Sequence, residues 1–156
     1  MNFPAITRGV WLAAACATLA VTVAVAKDRT LSPHPDNPHY FLWRGQPTVL
    51  ITSGEHYGAV MNLDFAYAPY LKELGARKLN CTRLFSGAYV EPHGAFGSAQ
   101  NTLAPSAGRY IAPWARSHQP GYANGGNKFD LTRWDEAYFL RLRDFVKQAG
   151  RRGVAV

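Results

Sequence analysis

Residues 48–52, Thr-Val-Leu-Ile-Thr, make a short β-branched run that stops at Ser53-Gly54 and passes at once into Glu55, His56 and Tyr57. A half-buried strand alternates apolar and polar residues, whereas this run is apolar on both sides. It predicts a strand with both faces covered, as in a parallel sheet. Loops leaving the C-terminal ends of parallel strands carry the chemistry of α/β folds. A carboxylate, an imidazole and a phenol at such a place form the leading candidate site.

The downstream residues repeat the same plan of strand, polar loop and amphipathic helix. Tyr67, Tyr70, Leu71 and Leu74 recur at helical spacing between residues 62 and 78, with Asn62 and Asp64 as candidate N-caps and Pro69 tolerable only near the first turn. Residues 79–85 predict a second strand, ended by Ser86-Gly87. A second helix is expected after Thr132 or Asp135, with Tyr138, Leu142, Phe145, Val146 and Ala149 on one face. Gly153 ends it, and residues 154–156 begin a third strand. Ahead of this series, residues 40–48 carry a hairpin signal around Arg44-Gly45-Gln46. Pro33, Pro35 and Pro38 make residues 27–39 an extended lead-in.

Residues 86–130 show no sustained period, and so long a connection is functional or disordered more often than plain. Tyr89, Phe96, Tyr110, Trp114 and Tyr122 are too many aromatics for a disordered linker. An ordered loop over the strand ends is expected, with a tight turn at Asn124-Gly125-Gly126-Asn127. The order β-α-β-α-β predicts a parallel α/β fold. A (β/α)8 TIM barrel takes about 250 residues. The expectation is therefore the N-terminal portion of such a barrel over residues 40–156, about two βα units and the start of a third strand, preceded by the hairpin. A complete three-stranded domain is the rival.

The first residues read as a targeting segment. Arg8 precedes an uncharged Ala/Val-rich run from Gly9 to Val25 that closes on Ala24-Val25-Ala26. This is the pattern of a signal peptide over residues 1–26, cleaved after Ala26, which implies a secreted or periplasmic protein. An uncleaved anchor is the alternative, although the run falls short of the ~20 apolar residues of a span. Loss of Arg8 lowers the formal charge from +7 to +6. The remaining cations are scattered, whereas nucleic-acid binding calls for a basic cluster on one face, so no nucleic-acid partner is expected. Cys81 is then the one remaining cysteine, which leaves no internal disulfide and reads as a small core residue.

Several phrases taken together resemble the retaining glycoside hydrolase barrels of the cellulase-like clan, family 5 among them. They are the aromatic hairpin Tyr40 to Pro47, the helix end Leu74-Gly75-Ala76-Arg77, and the strand phrase Asn80-x-x-Arg83. Phe129-Asp130-Leu131-x-x-Trp134-x-x-x-Tyr138-Phe139 and Arg151-Arg152-Gly153 come later in the same order, so the likeness covers roughly residues 33–156. It implies hydrolysis of O-glycosidic bonds in a poly- or oligosaccharide. It also implies that Arg83 sits at the barrel mouth, where a guanidinium holds the nucleophilic carboxylate ionised and aimed. The same pattern puts the acid/base and nucleophile glutamates on strands four and seven, beyond this chain, so the chain alone is expected to be inactive.

Glu55 and Glu91 stand on the wrong strands for that chemistry and are read as hydrogen-bonding sugar hydroxyls. His56 either contacts substrate or satisfies buried backbone groups. Tyr57 offers an apolar platform, and Tyr89, Glu91 and His93 form a similar cluster after the second strand. Trp114 either stacks on a sugar or packs the loop's own core. No cofactor is implied. Glu55, His56, Glu91 and His93 leave the same end of the expected sheet, but the usual spacings of metal ligands are missing. The readings carried forward are a glycoside hydrolase, a carbohydrate-binding protein without chemistry, and a metal-dependent hydrolase.

Overall fold

The computed structural model describes residues 30–52, 56–85, 89–99, 101 and 103–156. The expected signal peptide with its cleavage after Ala26, and Glu55, lie outside the described residues. By its contacts the chain forms two units, Met1–Pro47 and Thr48–Val156. Among the described residues no helix is long and apolar enough to cross a membrane.

A small sheet holds β1 (Leu31–Pro33), β2 (Phe41–Trp43) and β3 (Gln46–Thr48) in that spatial order, all of it in the first unit but Thr48. Leu31 pairs antiparallel with Trp43, and Pro33 with Phe41. Arg44 and Gly45 both take positive φ, 55° and 70°. Two such residues in succession make the tight hairpin turn whose twist matches the strands. Arg44 is not a glycine, and its guanidinium lies 4.5 Å over the Trp43 ring.

The second unit contains α1 (Tyr67–Ala76), the hairpin β4 (Trp114–Pro120) with β5 (Asn127–Trp134), and α2 (Glu136–Arg151). Asp135 caps α2 by accepting from Ala137 N at 2.9 Å, and Glu136 and Arg151 complement the helix dipole at its two ends. No side chain caps α1 at Ala66. Asn62 instead closes a local turn, its Oδ1 accepting from Asp64 N at 2.8 Å. The core lies between the helices and the segment 59–62. Leu71, Tyr138, Phe145 and Ala149 pack there with Val60 and Met61. Segment 61–63 is tied to 109–111 through Ile111 N to Met61 O and Leu63 N to Arg109 O, at 2.9 and 3.0 Å.

The expected (β/α)8 barrel portion is not what forms. Among the described residues the sheets are the two antiparallel ones, and no run of parallel strands alternating with helices is present. Residues 49–52 and 79–85 form no strand. Ile51 O accepts from both Asn80 N and Cys81 N, at 2.9 and 3.2 Å, and one isolated parallel bridge joins Cys81 to Ala155. The physical reason is visible at two places. Val49 and Ile51 are 55% and 51% exposed, so the run read as covered on both faces is not covered. The Asn80 side chain also bonds Ile51 N and Val49 O, atoms that a neighbouring strand would otherwise use.

Candidate functional site

The turn after His56 closes on itself: Ala59 N donates to His56 O, and Asn62 N to Gly58 O, at 3.0 and 2.9 Å. His56 is buried, and its ring stacks on Phe65 with centroids 3.4 Å apart. Its backbone N–H donates to Tyr70 Oη at 3.3 Å, and that hydroxyl lies 2.6 Å from Thr82 Oγ1. Aromatic and hydroxyl packing thus aims the start of the loop from α1 and from the segment around residue 82.

Tyr57 and Glu91 form the centre of the site. Glu91 is 4% exposed, and its Oε1 accepts from Tyr57 Oη and, at 3.2 Å, from Tyr89 Oη. Its Oε2 accepts from Asn101 Nδ2 at 2.5 Å. The Asn101 amide is itself oriented, because its Oδ1 accepts from Leu103 N at 2.9 Å. The Asn101 amide first, then the Tyr57 and Tyr89 hydroxyls, hold the Glu91 carboxyl below the usual carboxylate range. The same bond pushes the Tyr57 phenol up, since losing its proton would set two negative charges side by side.

The tyrosine rings that Glu91 gathers form an aromatic face. Tyr57 meets Phe85 at 4.6 Å and Tyr89 at 5.5 Å, and Phe85 meets Tyr89 edge-on at 5.5 Å. Arg83 places its guanidinium 5.7 Å from the Tyr57 centroid and 5.5 Å from that of Phe85. Asn101 also lines a cleft of about 240 Å³ with Asn62, Asp64, Phe65, His93 and Ser106. Asp64 is held ionised first by Arg109, whose Nε donates to it at 2.7 Å, and then by Ser106 N at 3.0 Å.

Of the residues expected from the sequence, His56, Tyr57, Arg83, Tyr89 and Glu91 come together. His93 lines the adjoining cleft and is exposed. Trp114 does not join them. It sits in β4, stacked on Trp134 with centroids 6.4 Å apart, and packs against the core. Glu55 is outside the described residues. Phe65, Phe85 and Asn101 were not legible as site residues. Phe65 and Phe85 look like ordinary core aromatics, and Asn101 stands in a stretch without any period.

The described groups of this site, hydrogen-bond donors, acceptors and aromatic rings, are suited to holding a ligand. Glu91 is ionised and acts as a hydrogen-bond acceptor, so it has no proton to give. Among the described residues the groups acting on it are Asn101, Tyr57, Tyr89 and His56, with no second carboxylate among them. A retaining glycosidase needs two carboxyls about 5–5.5 Å apart. Among the described residues no three His, Cys, Asp or Glu side chains gather as metal ligands would. Compared with known proteins, the chain matches no protein-family model, no curated protein and no solved structure.

Proposed function

We propose that the second unit binds carbohydrate, as the substrate-holding part of an exported glycoside hydrolase acting on O-glycosidic bonds. The observation that carries this reading is the Glu91 carboxylate, which gathers two tyrosine hydroxyls and the Asn101 amide, Asn101 also lining the cleft. A pyranose presents apolar C–H faces and a rim of hydroxyls. An aromatic face joined through Asn101 to a cleft lined by two amides, a carboxylate, an imidazole and one serine hydroxyl is complementary to both. Arg83, over the Tyr57 and Phe85 rings, adds a donor at the edge of that face.

A carbohydrate-binding protein without chemistry is the second reading, and it is favoured by the three donors that hold Glu91 as an acceptor. Neither reading assigns bond cleavage to the described residues. Calorimetric titration with a panel of soluble oligosaccharides, followed also by protein fluorescence, tests the shared claim. Saturable binding is expected, weakened at least about tenfold (about 1.4 kcal/mol) by Tyr89→Ala. Absence of saturable binding across neutral, amino and acidic sugars overturns it. Release of reducing ends by the natively secreted protein separates the two readings. Export itself is checked by sequencing the N-terminus of that protein, which is expected to begin at Lys27.

A further inference from the structure

The segment that carries the cleft's Asn62, Asp64 and Phe65 turns four carbonyls, those of Ala59, Val60, Asn62 and Phe65, toward one side chain. Ala59, Val60 and Asn62 are buried, and buried carbonyls need donors. They find them in one side chain from another element. Arg141, on α2, donates from Nε to Val60 O at 3.0 Å. Its Nη2 is shared among Ala59 O, Asn62 O and Phe65 O at 3.1, 2.9 and 2.8 Å. Its guanidinium lies 4.6 Å from the Tyr67 ring centroid, and Tyr67 Oη donates to Asp144 Oδ2 at 2.6 Å, one helical turn on from Arg141. The guanidinium is therefore fixed both by its acceptors and by the ring beneath it.

We infer that Arg141 is the positioning residue of the cleft: by gathering these four carbonyls it holds the Phe65 ring against His56 and sets Asn62 and Asp64 at the cleft wall. It lines no part of the cleft and acts through the segment it grips. Only the planar fork of arginine supplies donors along two edges at once; a lysine ammonium is a point charge on a flexible stem and cannot span four carbonyls spread over seven residues. The consequence for affinity rests on the carbohydrate reading, whereas the consequence for the Phe65–His56 stack does not.

The test is Arg141→Lys, with Arg143→Lys as the control, because Arg143 is an exposed residue of the same helix whose partner is Glu136. The His56 ring protons, read by NMR, report the stack on Phe65. In Arg141→Lys they are expected to move toward the positions of an unstacked imidazole while the protein still melts cooperatively, and oligosaccharide affinity is expected to fall about tenfold or more. In Arg141→Ala, millimolar guanidinium is expected to restore both. Arg143→Lys should change neither. Unmoved His56 signals in folded Arg141→Lys overturn the inference, as does unchanged affinity with a sugar that the wild type binds. A wild type that binds no sugar removes the carbohydrate reading and leaves the His56 signals as the test. If neither variant folds, NMR of the wild-type Arg141 guanidinium decides: slow rotation and protected Nη protons support the grip, and free rotation with fast exchange overturns it.

Discussion

The carboxamide of Asn80 stands beside Ile51 where the backbone of a neighbouring strand would be. Its Oδ1 accepts from Ile51 N at 2.7 Å while its Nδ2 donates to Val49 O at 2.8 Å. The backbone N–H of Asn80 donates to Ile51 O at 2.9 Å. One residue thus satisfies three main-chain groups of the 49–51 segment. In the glycoside hydrolase resemblance Asn80 forms a phrase with Arg83; in the structure it is an architectural residue that fastens the approach to His56 and Tyr57.

Asn80→Ala removes two side-chain hydrogen bonds and is expected to destabilise the protein by about 1–3 kcal/mol. Asn80→Asp keeps the acceptor for Ile51 N but turns an oxygen toward Val49 O, so it should be no better at neutral pH. Urea denaturation of both variants checks this. A loss within about 0.5 kcal/mol, the range of ordinary surface substitutions, would show the amide to be dispensable.

Glu91→Gln is expected to lower stability by about 1–3 kcal/mol, because the new amide cannot accept from Tyr57, Tyr89 and Asn101 together. The effect depends on pH with a definite sign. The folded carboxyl ionises at lower pH than the unfolded one, so on acidification the unfolded chain takes up its proton first. The stabilisation is complete above about pH 4.3, the ordinary Glu value, and is lost as the pH falls through the depressed folded value. The gap between wild type and Glu91→Gln should therefore shrink at low pH. Asp64, Asp130 and Asp144 are also held below their usual range, but they are common to both proteins and cancel. A gap independent of pH would mean that Glu91 is not held by these donors.

At the alkaline end, four of the eight tyrosines resist ionisation. Burial, with the bond to Asp144, pushes Tyr67 up to about 12. Burial raises Tyr110 and Tyr138, and the Glu91 carboxylate raises Tyr57. A raised phenol stabilises the fold fully below its unfolded pKa, ~10, and the contribution is lost as pH rises through the folded value. Phenolate absorbance at 295 nm should show a late, cooperative step coincident with unfolding, and Tyr67→Phe should take one ionisation out of it. A single unshifted titration with the fold intact would contradict the buried arrangement.

How much of this was legible in the sequence depends on the physics of each segment. The face Tyr67, Tyr70, Leu71 and Leu74 falls on α1, and the Asp135 cap and Gly153, at φ 73°, bound α2, because helical period and capping are local signals. The Arg44-Gly45 turn is equally local. The barrel expectation failed because strand pairing is not local: nothing in residues 48–52 says that an asparagine side chain occupies their edge. The β4–β5 hairpin was hidden for a related reason. Trp114–Pro120 carries Arg, Ser, His and Gln without alternation, and its register with β5 shifts between Trp114 and Arg116 and again before Pro120. Arg116 anchors it from within, with its guanidinium 4.0 Å from the Phe129 centroid and 4.7 Å from that of Tyr122, and donating to Tyr110 O at 2.7 Å. At the site, Tyr57, Tyr89 and Glu91 were legible as chemistry-bearing loop residues. Asn101, which completes the carboxylate's shell, was not, because only the folded loop brings it there.

The tip of that hairpin offers a paired test of packing against backbone strain. Gly125 and Gly126 have φ of 86° and 77°, so alanine at either is expected to cost about 1–2 kcal/mol for the left-handed backbone alone. Their surroundings differ. A Cβ on Gly125 would stand 3.2 Å from Gly108 N and 3.3 Å from Ala107 Cβ, whereas one on Gly126 meets nothing within 4 Å. Gly108 N donates to Asn124 O at 2.7 Å, and Asn124 Nδ2 donates to Pro105 O at 3.0 Å, so the tip is fastened to residues 105–108. Ser106 of that stretch lines the cleft and donates its N–H to Asp64. Gly125→Ala should therefore cost more than Gly126→Ala in urea denaturation. It should also weaken oligosaccharide binding where Gly126→Ala does not, because it pries the tip away from the cleft wall. Equal penalties in stability would mean that the tip is held only by its own turn.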